Sequence, residues 1–199
     1  MSGLALKQFG TPLLDPFDLS LAPGECVTLS GPSGSGKSRL LRAIADLDPH
    51  QGEAWCDGTR QQALSAPVWR RRVALLPAES AWWSERVGDH FEQLDADTLD
   101  LLKLPADAAD WQVTRLSSGE RQRLALLRVL SIEPDVLLLD EPTANLDHTN
   151  IERVETLIAR WRKEQGTAVF WVSHDPAQRQ RVSERSLRIE SRRLVSEWD

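Results

Sequence analysis

The chain has 199 residues, 41% of them hydrophobic and 27% charged, with a net charge of −6. This length allows one domain with a substantial core, the composition fits a soluble globular protein, and no run of about 18 apolar residues exists to cross a bilayer. The acidic balance argues against general nucleic-acid binding, and MSGLALKQFG lacks the apolar core and cleavage site of a secretory signal, so an intracellular protein is expected.

In chain order, ECVTLSG reads as a short buried strand running into a glycine-rich turn. KSRLLRAIADL then places Leu40, Leu41, Ile44, Ala45 and Leu47 near helical spacing. Between about Glu79 and Leu116 the pattern changes to short, acidic, helix-like pieces: SERVGDHFEQL, ADTLDLLKL and DAADWQV. Together with the following helix, ERQRLALLRVL, they predict a small helical subdomain over about 79–130. DVLLLDEP is a continuous apolar run of strand length, as expected for a strand covered on both faces. NIERVETLIARWRKEQG is an amphipathic helix carrying Ile151, Val154, Leu157, Ile158 and Trp161 and closed by Gly166, and TAVFWVSHD is another buried strand. Strands alternating with helices predict a single α/β domain built on a mostly parallel sheet with helices on both faces.

Cys26 and Cys56 each lie in an apolar, strand-like run and, without a CxxC or Cys/His cluster, read as small buried hydrophobes. The arginine groups at 70–72, at 121, 123 and 128, and at 179, 181 and 185 read as solvated helix faces with acids nearby. Trp82 and Trp83 are harder to place. Adjacent side chains diverge by about 100° on a helix and point to opposite faces on a strand, so one buried surface does not readily take both rings.

GPSGSGKS, from Gly31 to Ser38, matches G-x-x-x-x-G-K-[ST] after a strand and at a helix start. Its glycines let successive backbone N–H groups turn toward phosphate oxygens, the helix N-terminus favours negative charge, Lys37 can reach the β- and γ-phosphates, and Ser38 can ligate Mg²⁺. The loop residues Gly31, Pro32, Ser33, Gly34, Ser35 and Gly36 are therefore candidate phosphate contacts. DVLLLDE ends in Asp140, placed to hold Mg²⁺ directly or through water, and Glu141, placed to polarise an attacking water. A nucleoside triphosphatase follows from the two motifs together.

LSSGERQR, shortly before DVLLLDEPTANLD, resembles the signature of the ATP-binding cassette (ABC) ATPases, usually LSGGQ, and TANLD resembles that family's S/T-x-N-L-D loop, with Thr143, Asn145, Leu146 and Asp147 in place. His174 in VSHD matches the family's switch histidine. The resemblance covers nearly the whole chain and implies a P-loop NTPase core with an inserted helical subdomain. It also implies Mg²⁺-dependent ATP hydrolysis in a head-to-tail pair of chains. Each ATP would lie between the phosphate loop of one copy and Ser117, Ser118, Gly119 and Glu120 of the other, with Asp147 beside it and His174 sensing the γ-phosphate. Independently of family, LSSGE before a helix makes a second anion-friendly helix N-terminus. Phe9, 22 positions before Gly31 (31 − 9), resembles the aromatic that stacks on adenine.

Four positions, in three motifs, depart from the family pattern. Arg39 stands where a threonine usually follows the loop. Ser118 and Glu120 replace glycine and glutamine in the signature, which keeps the helix-capping chemistry. Ala78, 41 positions after Lys37 (78 − 37), stands where a glutamine usually reaches the metal and the attacking water; Glu79 is the candidate to replace it. In transporters of the family, the segment after that glutamine forms a groove for a cytoplasmic helix of the membrane subunit, and Trp82 and Trp83 fall there. The expectation is therefore an ATPase subunit of an ABC transporter, peripheral on the cytoplasmic face of the inner (plasma) membrane and held there by a separately encoded transmembrane subunit. The alternative is a non-transport ABC switch, for example in cluster assembly. The short stretch after His174 (199 − 174 = 25) and the WVSHD strand resemble the compact ATPases of metal or small-solute exporters, including the iron-export type.

Overall fold

The computed structural model describes residues 3–198. The chain opens with an antiparallel pair, β1 (Leu4–Thr11) and β2 (Leu14–Leu21), followed by β3 (Cys26–Ser30), α1 (Lys37–Ile44) and a second antiparallel pair, β4 (Gln51–Cys56) and β5 (Thr59–Arg60). Asp57 and Gly58, both at positive φ, make the two-residue turn that the right-handed twist of a hairpin favours. Next come α2 (Ala66–Arg72), β6 (Val73–Leu76), α3 (Ala96–Asp100), α4 (Ser118–Leu130), β7 (Val136–Asp140), α5 (His148–Gln165), β8 (Ala168–Val172), α6 (Pro176–Val182), β9 (Arg185–Glu190) and β10 (Arg193–Ser196).

The apolar runs form the expected sheet, of order β10-β9-β3-β8-β7-β6, parallel throughout except for the β9–β10 hairpin. Side chains along a strand alternate between faces, and two cores result. Val136, Leu138, Ala168, Phe170 and Val172 enter one, while Leu137, Leu139, Val169 and Trp171 enter the other. The second core is covered by the segments between β6 and β7 and by α5, as the helical pattern predicts. The first is covered by α1 and by a separate antiparallel sheet, β2-β1-β4-β5, which the alternation of strands and helices does not foresee. Cys56 faces the first core and Cys26 the second, so the two buried thiols stay free, each pushed up to about 12, chiefly by burial.

Local structure departs from expectation at three places, one of them DAADWQV, which forms no α-helix and holds a 3₁₀ turn at Ala108–Asp110. Helix α1 stops at Ile44, because Asp46 takes a positive φ, and Leu47 is thrown out of the core face to 42% exposure. SERVGDHFEQL forms no α-helix; it holds one 3₁₀ turn at Gly88–His90 and a bridge from Arg86 to Gln112. The cause is tertiary: the Val87 N–H donates to Trp111 O at 2.9 Å and the Glu85 carbonyl accepts from Val113 N at 2.8 Å, so groups that a helix would use internally pair with residues 111 and 113 instead. The buried His90 ring also takes the backbone N–H groups of Trp83 and Ser84 onto Nε2 at 3.0 and 3.1 Å. Among the described residues, no helix is long and apolar enough to cross a membrane.

Candidate nucleotide site

The site lies at the C-terminal ends of β3, β7 and β8, where an open parallel sheet offers its crevice. After β3, the loop turns into α1 through Gly36, at φ 104°, where a Cβ would come within 3.0 Å of Leu13 Cβ; only glycine suits both the angle and the approach. Lys37 is 7% exposed, and its Nζ donates to the carbonyls of Gly31 (2.8 Å) and Pro32 (3.0 Å). Burial lowers the pKa of this ammonium, opposed by the charges of Glu141 and Asp140. Ser35 Oγ is buried without a partner, while Pro32, Ser33 and Gly34 are open to solvent, so the loop presents unmet polar groups at its mouth.

Asp140 ends β7 at 6% exposure and accepts a hydrogen bond from the Ser38 hydroxyl. Burial raises its pKa above the ordinary carboxylate value, the Ser38 bond working against the shift. One buried carboxylate beside one hydroxyl is a hard-oxygen pair, and it fits a cation that completes its shell with substrate phosphates and water, as Mg²⁺ does. A raised folded-state pKa means that the ionised carboxylate weighs against the fold: stability falls as pH rises from the unfolded value through the raised one, and stays lower at neutrality. Asp140→Asn is therefore expected to raise the melting temperature at pH 7 by a few degrees while cutting Mg²⁺-dependent hydrolysis at least about a hundredfold. Calorimetry and phosphate release across a MgCl₂ titration measure the two effects.

Glu141 follows at φ 50°, its N–H bonded to Val172 O on the neighbouring strand, and its Oε1 lies 2.9 Å from His174 Nε2. Both side chains are partly exposed, the histidine at 52% and the glutamate at 34%. With Thr143, Ser173 and Gln178 they line a cavity of about 200 Å³. Gln178, 3% exposed, ties the two loops together: its Nε2 donates to Thr143 Oγ1 at 3.0 Å and Glu155 Oε1 at 2.9 Å, and its Oε1 accepts from Ser173 Oγ at 2.8 Å. No motif marks this glutamine, and only its burial between the loops after β7 and β8 reveals it.

The signature residues form a separate unit. Ser117 caps α4, taking the Glu120 N–H on its Oγ, while the Glu120 carboxylate accepts from Ser117 N (2.9 Å) and Oγ (2.8 Å), a closed capping box. The Ser117 backbone N–H is the main reason that the Glu120 carboxyl is held below its usual value. Gly119 lies against Asn145 and Leu146, so the signature abuts the TANLD loop. Asp147 caps α5, accepting from Asn150 N at 2.9 Å and Nδ2 at 2.8 Å. Lys37, Ser38, Asp140, Glu141 and His174 thus gather in one place. None of the hydrogen bonds of Ser117 to Glu120 among the described residues reaches the phosphate loop.

One expectation changes. Phe9 is fully buried, stacked on His50 at 4.5 Å and edge-on to Phe17, so no face of its ring is free for adenine. Its spacing from the loop was right for the role, but its side chain points into the core between the sheets. The residue that reaches the loop from this hairpin is Leu13, against Gly36. Arg39 is exposed on α1; its charge helps to lower the Asp48 carboxyl, after the larger effect of the Arg42 hydrogen bond.

A phosphate loop between strand and helix, with a carboxylate pair ending a parallel strand beside it, defines a P-loop nucleoside triphosphatase. The chain belongs to the ABC transporter family, whose model matches residues 14–144. Among its relatives, the aliphatic sulfonates import ATP-binding protein SsuB 3 of Nocardia farcinica is 38% identical over 193 residues, 96% of this chain and 76% of that one. The probable iron export ATP-binding protein FetA of Escherichia coli is 35% identical, over 82% of this chain and 78% of that one. The fold is that of the ATP-binding cassette MJ0796, solved as a dimer in a post-hydrolysis state with ADP and Pi (TM-score 0.79, 24% identity, 98% of this chain and 97% of that one). Within the family, this chain is the ATP-binding and ATP-hydrolysing subunit that energises transport.

Proposed function

We propose that the chain hydrolyses Mg·ATP between two copies of itself and passes the resulting motion to a separately encoded transmembrane subunit. The observation that carries the chemical half is the gathering of Lys37, Ser38, Asp140, Glu141 and His174 at one edge of the sheet. Lys37 and the N–H groups of the Gly31–Ser38 loop, Pro32 having none, bind the phosphates, and Ser38 and Asp140 would hold Mg²⁺, which would neutralise charge on them. Glu141 takes the proton of the attacking water, and His174 reports the γ-phosphate to Glu141. The capped helix start at Ser117, Ser118, Gly119 and Glu120 meets the phosphates of the other copy, which accounts for its separation from the chain's own loop. Arg39 adds positive charge at the rim, and Asp147 fixes the start of α5 beside the signature. Residues 79–130 work as the helical subdomain that moves with the second copy. Glu79 stands in for the missing glutamine at Ala78.

Trp82 and Trp83 are resolved by their surroundings. Trp82 packs on the second core, while Trp83 is 70% exposed. Trp83 lines a groove of about 520 Å³ whose apolar walls include Leu47, Val73, Leu75 and Ile132. Exposed large apolar side chains around a groove mark an interaction site, and a tryptophan buries much area for few rotatable bonds. A cytoplasmic segment of the transmembrane subunit occupies this groove and holds the chain on the cytoplasmic face of the inner (plasma) membrane. The relatives are named as transporter subunits for different cargoes, sulfonates inward and iron outward, so what carries over is the ATP-driven step rather than a cargo. The non-transport reading has no such support. Trp83→Ala is expected to lower recovery of the membrane complex about tenfold or more while leaving ATP binding and melting temperature unchanged. Co-purification and calorimetry check this. Full recovery of the complex would overturn the docking site, and a matching fall in melting temperature would reassign the ring to the fold.

A further inference from the structure

Most of the arginine side chains in the three clusters have found acids, as the sequence suggests. Arg70 pairs with Asp46, Arg71 with Glu92, Arg72 with Asp135, Arg179 with Glu197, Arg181 with Glu155 and Arg185 with Glu25. Among the described residues, the three arginines of α4 form no ion pair: Arg121 donates to Val113 O, Arg123 to the carbonyls of Gly119 and Leu102 and to Asn150 Oδ1, and Arg128 lines the groove. It lies half-buried in the groove beside Trp83, with its guanidinium carbon 4.6 Å from the centre of the Trp82 ring and 4.9 Å from that of Trp83. Its Nη1 donates to Ala81 O at 3.1 Å, and among the described residues no carboxylate lies within ion-pair distance of it. Two ring faces and one carbonyl leave most of its five N–H donors unmet.

The other charged groups of the groove do not supply the missing partner. Arg70 and Arg71 also line it and are cations themselves, and Glu92 is turned to Arg71 at 3.6 Å. His90, the remaining titratable group, is held between the tryptophan rings at 4.7 and 4.6 Å, with its Nδ1 toward Arg86 O and its Nε2 already bonded to two backbone N–H groups. The groove therefore has apolar walls, a net positive rim and one unpaired planar cation.

We propose that the docked segment of the transmembrane subunit brings a carboxylate to Arg128, with its apolar side chains laid on Leu47, Trp83 and Ile132. This rests on the docking reading above and specifies the partner's chemistry. A guanidinium takes a carboxylate through two parallel N–H bonds, which fixes orientation as well as adding attraction, and apolar surroundings strengthen that pairing. The placement also has a mechanical consequence. Arg128 and Ser118 belong to the same helix, α4, ten residues apart, or about 15 Å at 1.5 Å per residue. A partner carboxylate on Arg128 grips the rear of the helix whose front presents the signature, a direct connection in a chain that has Ala78 in place of the usual glutamine.

The test uses the full-length chain in its producing cells, with a photo-crosslinking benzoylphenylalanine at position 83 and mass spectrometry of the crosslinked peptide. The expected peptide belongs to a polytopic membrane protein and has Asp or Glu within about four residues of the crosslink, one helical turn. Arg128→Gln then lowers recovery of the complex about tenfold or more, Arg128→Lys restores only part of it because an ammonium keeps the charge without the two parallel N–H bonds, and changing the partner's acid to its amide on the wild-type chain reproduces the loss. That partner-side change decides the matter even if Arg128→Gln disturbs folding. A membrane protein crosslinked with no acid in reach, or one whose recovery survives both changes, overturns the carboxylate contact and leaves the docking site standing. Absence of any membrane protein, together with an unaffected Trp83→Ala chain, removes the docking site itself and this contact with it.

Discussion

Glu141→Gln is expected to slow ATP hydrolysis by about a thousandfold and to leave ATP binding intact, so that chains accumulate as an ATP-bound pair. A general base contributes roughly 10²–10⁴-fold to such reactions, and the glutamine keeps the shape of the side chain while losing its capacity to take a proton. The geometry makes this a clean substitution. Among the described residues, Glu141 holds no ion pair beyond its 2.9 Å contact with His174, and a glutamine Oε1 can accept the same hydrogen bond from an Nε2–H. Its backbone N–H to Val172 O is untouched by the change, so the φ of 50° that aims the side chain is kept. Single-turnover hydrolysis gives the rate, and light scattering after gel filtration under saturating Mg·ATP gives the mass. A rate like that of the wild type would remove Glu141 from the base role. A stalled chain that binds ATP yet stays a monomer would instead refute the shared site, because the signature of a second copy would then not be needed to hold the nucleotide.

What could be read from the sequence was local. The phosphate loop and the strand-end acids are contiguous stretches whose neighbours define their setting, so their chemistry and position came together. Trp82 and Trp83 were readable as a contradiction between adjacency and burial, which the fold resolves by burying the first and exposing the second. Features that depend on distant pairing were not readable. The antiparallel sheet joins β1 to β4, some fifty residues apart, through a register that shifts between Lys7 and Gly10, and that irregularity blurs the alternation by which a strand is recognised. The same irregular strand carries Phe9, and spacing from the loop says nothing about which face a side chain takes. SERVGDHFEQL has helical composition, but its Val87 N–H and Glu85 carbonyl pair with Trp111 and Val113, backbone groups that a helix would use internally, so tertiary contacts override propensity. Gln178 and Arg128 fall outside every motif. One matters because its hydrogen bonds are all met inside the fold, the other because its charge is not.

Lys37→Ala is expected to weaken ATP binding at least about a hundredfold, whatever it does to hydrolysis. Lys37 Nζ donates to the carbonyls of Gly31 and Pro32, which holds the ammonium at the loop where the phosphates of the proposed site would lie. Phosphate oxygens are charged acceptors for the same group. Hydrogen bonds to charged groups contribute about 1.5–3 kcal/mol each, and about 1.4 kcal/mol corresponds to a tenfold change in affinity, so two such contacts account for a hundredfold or more. With Phe9 sealed in the core, that ring adds no stacking on adenine. Phosphate contacts must therefore carry most of the affinity here, and the loss should appear for ATP and ADP alike but barely for adenosine. Equilibrium dialysis with the three ligands measures it, with circular dichroism to show that the fold persists. Equal weakening for all three would place Lys37 in the fold rather than at the phosphates, and unchanged ATP affinity would mean that the backbone N–H groups of the loop hold the nucleotide without it.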